Sequence, residues 1–150
     1  MLYGEFVGGR SKPLLNLVER GAVRKFAEAI ADPNPLYVDE AAAKRSHYGR
    51  LLVPPTFPRT FDYGHIEGLK LPSAGMIHGE FHISYERPLF VGEEVFCRMR
   101  LEDSYDKQGR KGLLGFLVFE RTGESPDGAR IFTMNDVVVV TEVVRRVIEA

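Results

Sequence analysis

At Met76 the hydrophobic pattern of this chain changes its period, and that change limits what it can fold into. Ile77, Phe81, Ile83 and Tyr85 alternate with His78, Glu80, His82, Ser84 and Glu86, as in a strand with one apolar and one polar face. Pro88 closes the segment. Val95, Cys97, Met99 and Leu101 then alternate with Arg98, Arg100 and Glu102, and Asp106-Lys107-Gln108-Gly109 reads as a hairpin turn. Leu113 to Phe119 is apolar on both faces, which predicts a central strand. A second turn over residues 122–128, with Pro126 and two glycines, leads to a strand from Ile131 to Thr141 that ends in four consecutive valines. One helix cannot cover such a sheet, and an uncovered apolar face is an interaction surface, so a dimer at least is expected.

Before Met76 the spacing is helical or broken. A short strand is expected over Leu2 to Val7, and Leu14, Leu15 and Val18 lead into a helix ending near Ala31, with Gly21 weakening its first turn. Val23, Phe26, Ala27 and Ile30 form its apolar face. Asp32-Pro33-Asn34-Pro35 then fixes two φ angles and removes two N–H donors, so the helix stops by Asp32. A carboxylate there faces the negative end of the helix dipole, a place that a purely structural residue tends to avoid. Asp39 can cap a short helix over residues 40–44. From Thr56 to Leu71, Pro58, Gly64 and Gly68 allow only a short, broken helix, and residues 143–150 read as a tail helix or a frayed end.

Composition excludes several classes. With 150 residues, 44% hydrophobic content and 20 basic against 21 acidic side chains, the chain reads as one domain, 1–150, with no call on nucleic acid or an anionic membrane. No apolar run approaches a membrane span, and the first residues lack the pattern of a signal peptide. Cys97 is the only cysteine; it falls on a strand's apolar face, so it is expected in the core, with no disulfide framework, in a reducing cytosol.

Four groups of residues carry a resemblance: Asp32, Asn34, Pro35 and Leu36; Val53-Pro54-Pro55-Thr56-Phe57; Ile77-His78-Gly79-Glu80; and Tyr85-Glu86-Arg87-Pro88-Leu89. They resemble the MaoC-like hydratase/dehydratase family, specifically its FAS1-like N-terminal dehydratase domain, and the resemblance covers about residues 22–142. The resemblance implies an α+β hot-dog fold, an antiparallel sheet wrapped around a central helix that is here shortened. It also implies an Asp and His pair that adds or removes water across an enoyl thioester of coenzyme A or acyl carrier protein, with no metal and no cofactor. Two positions depart from the family pattern. Tyr37 stands where the histidine belongs, and with an unperturbed pKa of about 10 it is a poor base near neutral pH. Pro55 stands where a glycine N–H binds the thioester oxygen, and losing such a donor costs roughly 2.7–4 kcal/mol of transition-state stabilisation.

The candidate catalytic residues are therefore Asp32, Asn34 and Tyr37, with Pro54, Pro55, Thr56, Phe57, Arg50 and His78 as candidates for substrate binding. His47 or His65 could supply the missing base. Lys44, Arg45 and Arg50 could meet the phosphates of a pantetheine-bearing cofactor or an acidic carrier protein, or be simply solvated. His78, Glu80 and His82 share a strand face in this reading, where they could approach a metal or phosphate, or face solvent. Three functions fit: an acyl-binding subunit whose partner hot-dog subunit carries the full Asp/His pair, a self-sufficient hydratase using Asp32, or a non-catalytic acyl-CoA-binding module. A hot-dog thioesterase is a fourth.

Overall fold

The computed structural model describes residues 1–150. Five strands form one antiparallel sheet: β1 (Leu14–Leu17), β2 (Met76–Tyr85), β3 (Glu94–Gly109), β4 (Gly112–Glu124) and β5 (Arg130–Val140), in the order β1-β3-β4-β5-β2. The helices are α1 (Arg20–Ala29), α2 (Pro35–Val38), α3 (Glu40–Arg45) and α4 (Glu142–Glu149). β4 is the middle strand, as its two-sided apolar pattern requires. One face of the sheet carries Cys97, Met99, Leu101, Leu117, Phe119, Met134 and Val140 into the core. There they meet Val23 of α1 and Phe57, Tyr63 and Ile66 of the connecting segment. This is the hot-dog arrangement, and its central helix is short: α1 has 10 residues, and residues 57–60 make only a 3-10 turn.

Several boundaries differ from the sequence expectation. Leu14 and Leu15 are not helical; they pair with Cys97 and Phe96 in β1, because the free edge of β3 offers backbone partners that outweigh helix propensity. Asn16 in that strand exchanges hydrogen bonds with the backbone of Asp62, at 2.8 and 2.9 Å, and ties down the connecting segment. Residues 2–7 hold a 3-10 turn, Gly4–Phe6, instead of a strand, and pairing starts only where Gly8 N–H reaches the Leu101 carbonyl. The first hairpin turns at Arg110-Lys111, between Gly109 and Gly112, and not over residues 106–109. Stacking of Tyr105 on Phe116, at 5.0 Å and 4°, carries the ladder past the expected turn. Likewise β4 runs through Thr122 and Gly123. Gly123 is required by packing: a Cβ there would lie 2.2 Å from the Phe132 ring.

One correction bears on the site. β2 carries a bulge between His78, paired with Val138, and Glu80, paired with Val137. Gly79 is the extra residue, and the alternation flips across it. His78 therefore shares the inward face with Phe81, Ile83 and Tyr85, while Glu80 and His82 share the outer face with Ile77, which is 53% exposed. The three polar groups do not form one cluster. Cys97 is fully buried as expected, and burial pushes its thiol up to about 12. No group of three His, Cys, Asp or Glu side chains is placed to hold a metal ion, and no helix is long and apolar enough to cross a membrane.

Candidate active site

Helix α1 ends in a Schellman motif. Ala31 N–H donates to the Glu28 carbonyl and Asp32 N–H to the Ala27 carbonyl, at 3.0 and 2.9 Å, with Ala31 in the left-handed region at φ 54°. Asp32 is thus delivered at a helix C-terminus with its side chain exposed. Asn34 caps the next turn: its Oδ1 accepts from Leu36 N–H at 3.0 Å, and Pro35 occupies the first position of α2, where an N–H is dispensable. Tyr37 follows, half-buried. Leu52 N–H donates to the Leu36 carbonyl, Val53 N–H to Leu89 and Val91 N–H to Leu51, so three segments, 34–38, 51–55 and 85–91, are knitted together by backbone bonds.

Between them lies a cavity of about 560 Å³. Asn34, Tyr37, Tyr48, Pro55, Tyr85, Glu86 and Arg87 supply its polar lining, and Leu52 and Leu89 part of its apolar wall; Asp32 is not among the lining residues. The Tyr85 hydroxyl donates to the Pro55 carbonyl at 2.6 Å. Burial raises the Tyr37 phenol above its ordinary value, and the Asp32 charge adds to that. The Tyr85 phenol is raised further, by burial first and by Tyr37 second. Both phenols therefore stay protonated at neutral pH and act as donors, not as bases. The acid loop of Asp32, the phenol of Tyr37 and the Tyr85–Pro55 pair form one electrostatic neighbourhood.

The other candidates are placed differently. Pro54 is buried beneath the loop, and Phe57 is a core residue that meets Phe26 edge-on at 5.5 Å. Thr56 is half-buried; its N–H makes no backbone hydrogen bond. Arg50 lies outside the cavity lining, 4.7 Å over the Phe90 ring and donating to the Val91 carbonyl at 3.2 Å. His78 accepts from the Arg59 guanidinium at 3.1 Å, and Arg59 also covers Phe81. No histidine lines the cavity. The His47 ring lies 3.9 Å from that of Tyr48, a lining residue, tilted at 36°, whereas His65 sits on a different part of the surface. Lys44 and Arg45 occupy the last turn of α3, where their charge complements the dipole.

Tyr85 lines the cavity but is not among the candidate site residues, nor are Tyr48, Glu86 and Arg87, although Tyr85 opens the Tyr85-Glu86-Arg87-Pro88-Leu89 motif. Arg87 is locked by a two-point pair with Glu93, at 2.7 and 3.0 Å, and Glu93 also accepts from Phe90 N–H at 2.9 Å. That clamp holds the wall from which Tyr85 reaches Pro55.

The family model for the FAS1-like dehydratase domain region matches residues 5–134. The chain belongs to that family. A UPF0336 protein of Streptomyces avermitilis is 33% identical over 129 residues, 81% of this chain and 82% of the relative. Another, from Thermobifida fusca, is 38% identical over 105 residues, 64% and 67% of the two chains. Among solved structures, the ChsH1-ChsH2 complex of Mycobacterium tuberculosis aligns with a TM-score of 0.72 at 25% identity, covering 88% of this chain and 84% of that one. The HadBC (3R-hydroxyacyl-ACP dehydratase) complex of the same organism aligns at 0.71 over 89% and 96%, and the (R)-hydratase of A. caviae at 0.67 over 90% and 96%. Their identities, 18% and 24%, show a shared fold alone. The family is described as a dehydratase domain, and a MaoC-like dehydratase shares the fold with a TM-score of 0.76 at 24% identity, over 92% of this chain and 43% of that one.

Proposed function

We propose that this chain is the acyl-binding subunit of a heteromeric acyl-thioester hydratase or dehydratase, and that a second hot-dog subunit contributes the complete Asp/His pair. One observation carries the reading: the cavity next to the Asp32 loop gathers Asn34, Tyr37 and Tyr85 but no imidazole, Asp32 itself does not line it, and proline occupies the loop position of the missing oxyanion donor. The apolar wall is kept, while the carboxylate stands off the cavity and the base and one electrophilic contact are gone. Such a cavity binds an acyl thioester without turning it over efficiently. HadBC and ChsH1-ChsH2 are themselves complexes, which supports a partner subunit here. The substrate in this reading is an enoyl thioester of coenzyme A or acyl carrier protein in the cytosol.

The test is a hydration assay on a 2-enoyl-CoA with the purified chain alone and after co-expression with a hot-dog subunit bearing an intact D-x-N-P-x-H motif. Near-silence alone and turnover with the partner is the expected pair of results. Robust turnover by the isolated chain, abolished by Asp32→Asn, would replace this reading with a self-sufficient enzyme. That second reading draws on the Thr56 N–H, one residue beyond Pro55 and outside the backbone ladder, and on His47 behind Tyr48.

A further inference from the structure

The outer face of the sheet, opposite the core, carries a recess of about 130 Å³ whose lining includes Arg10, Arg98, Arg100, Arg130, Glu120 and Thr122. Four guanidinium groups are crowded there by the register of the strands. Arg10 bridges directly to Arg100, Arg98 lies two positions along the same face, and Arg100 and Arg98 stand opposite Glu120 and Thr122 of β4. Like charges directly opposite one another on a sheet destabilise it, so this crowding needs compensation. The chain supplies only part of it. Glu124 engages Arg98 at 3.8 Å and Arg130 at 3.4 Å, and Arg130 also donates to Thr133 Oγ1 at 3.0 Å. Arg10 and Arg100 form no ion pair.

Two further atoms make the recess more than a basic patch. Arg100 Nε and Thr122 Oγ1 are both buried without any hydrogen-bond partner, and Thr122 as a whole is only 4% exposed. A buried donor left unsatisfied bears the full cost of losing its water, and two in one recess point to a missing acceptor. That acceptor must be an anion, because four guanidinium groups share the nearby carboxylates Glu120 and Glu124, while Glu102 is turned to Asn135 at 3.2 Å. Guanidinium forks and a hydroxyl are the donor set that matches a tetrahedral oxyanion. The space holds about four waters at their liquid volume of roughly 30 Å³ each, enough for one small oxyanion.

We infer that this recess is an anion site that takes a phosphate group, held by Arg10 and Arg100, with the Thr122 hydroxyl as a third donor. It lies on the other side of the sheet from the cavity around Tyr37, so it is independent of the acyl-thioester reading. The phosphate is either the free ion or the terminal group of a larger phosphorylated small molecule.

Calorimetric titration of the intact chain tests it, with inorganic phosphate in one arm and adenosine 3′,5′-bisphosphate in another, against sodium chloride at matched ionic strength. Saturable one-site phosphate binding is expected. It should weaken about tenfold or more in Arg100→Gln and Thr122→Val, survive in Thr122→Ser, and tighten in Glu120→Gln, which removes a like charge from the lining. Arg10 is exposed, so Arg10→Gln folds whatever its effect on binding, and it should weaken binding too. Tighter binding of the bisphosphate assigns the site to a phosphorylated ligand, and equal binding assigns it to the free ion; both keep the site. No saturation at millimolar phosphate beyond the chloride control, or equal affinity in Arg10→Gln, Arg100→Gln and Thr122→Val, would overturn it.

Discussion

Two polar clusters of this molecule, one on the sheet and one on the loop after α1, are built in opposite ways. Arg121 and Asp136 face each other as a direct ion pair on the inward face of the sheet, with Asp136 7% and Arg121 23% exposed. The Arg121 guanidinium also lies 5.7 Å from the Tyr63 ring centroid and 5.3 Å from that of Phe119. The Tyr63 hydroxyl is spent on the Pro58 carbonyl at 2.6 Å. The Arg121, Asp136 and Tyr63 side chains are thus each paired within the fold, although all three also line a cavity of about 260 Å³. Around Asp32 and Tyr37 the backbone is equally well tied, yet the side-chain carboxylate and phenol are left over. The difference separates polar groups that specify structure from polar groups held ready for a ligand.

The sharpest way to break the comparison is to open the closed cluster. Asp136→Asn leaves a half-sheltered guanidinium without its counter-charge, and should cost about 3 kcal/mol, the low end of the range for breaking a buried pair because Arg121 keeps some solvent. Urea denaturation reads the loss. The double variant Arg121→Met, Asp136→Leu should recover most of it, since an apolar replacement of both partners removes the desolvation burden together with the attraction. If the single variant is within about 0.5 kcal/mol of wild type, the pair is solvated in solution and the cluster is not closed.

The open cluster should answer in the other currency. In the proposed two-subunit enzyme, or in the chain alone if it proves active, Asp32→Asn should change stability by less than about 0.5 kcal/mol. It should cut turnover of a 2-enoyl-CoA by more than about 100-fold if Asp32 is the acting acid or base. Unchanged turnover with the partner present would mean that this cavity only binds, and that the chemistry lies wholly on the other subunit.

How much of this was legible in the sequence follows the same division. Asp39 as a cap, β4 as the central strand, Cys97 as core and the loss of helix after Thr56 are all local consequences of spacing, capping chemistry and proline. The pairing of Leu14 and Leu15 in β1 has no local signal, because an isolated apolar pair carries no period and only the unpaired edge of β3 decides its state. His78 was put on the wrong face because one extra residue at Gly79 reverses an alternation that otherwise looks regular. In the site, the Asp32–Tyr37 segment was visible because it is contiguous. The contact from Tyr85 to Pro55 crosses 30 positions and depends on how β2 meets the Pro-Pro loop, which no local pattern records.

A smaller effect is expected where the clamp supports the open site. Glu93 is half-buried, and burial alone would raise its carboxyl. The hydrogen bonds from Arg87 and Phe90 N–H, with the Arg87 and Arg50 charges, outweigh that and hold it below the ordinary carboxylate range. A depressed carboxylate contributes stability above its unfolded value of about 4.3, and that contribution is lost as pH falls through the lower folded value. Glu93→Gln should therefore lower stability by about 1–2 kcal/mol at pH 7. The gap to wild type should close as pH drops below about 4. A gap that is constant from neutral to acid pH would show that the loss is one of packing and not of charge.

The smallest effect is set by the residue that delivers Asp32. Ala31 sits at φ 54°, a conformation that costs an L-residue roughly 1–2 kcal/mol and that glycine adopts freely. Glycine also gives the unfolded chain more freedom, which removes roughly 0.5–1 kcal/mol of that gain. Ala31→Gly should thus stabilise the domain by about 0.5–1 kcal/mol, seen as a higher urea midpoint at unchanged slope. The variant touches neither cluster, so it separates strain in the loop from the groups the loop carries. A lower midpoint would mean that the helix ends differently in solution and that Asp32 is not held by the Schellman turn. A higher midpoint with weaker turnover by the assembled enzyme would mean that the alanine, by restricting the loop, keeps the open carboxylate in register with its ligand.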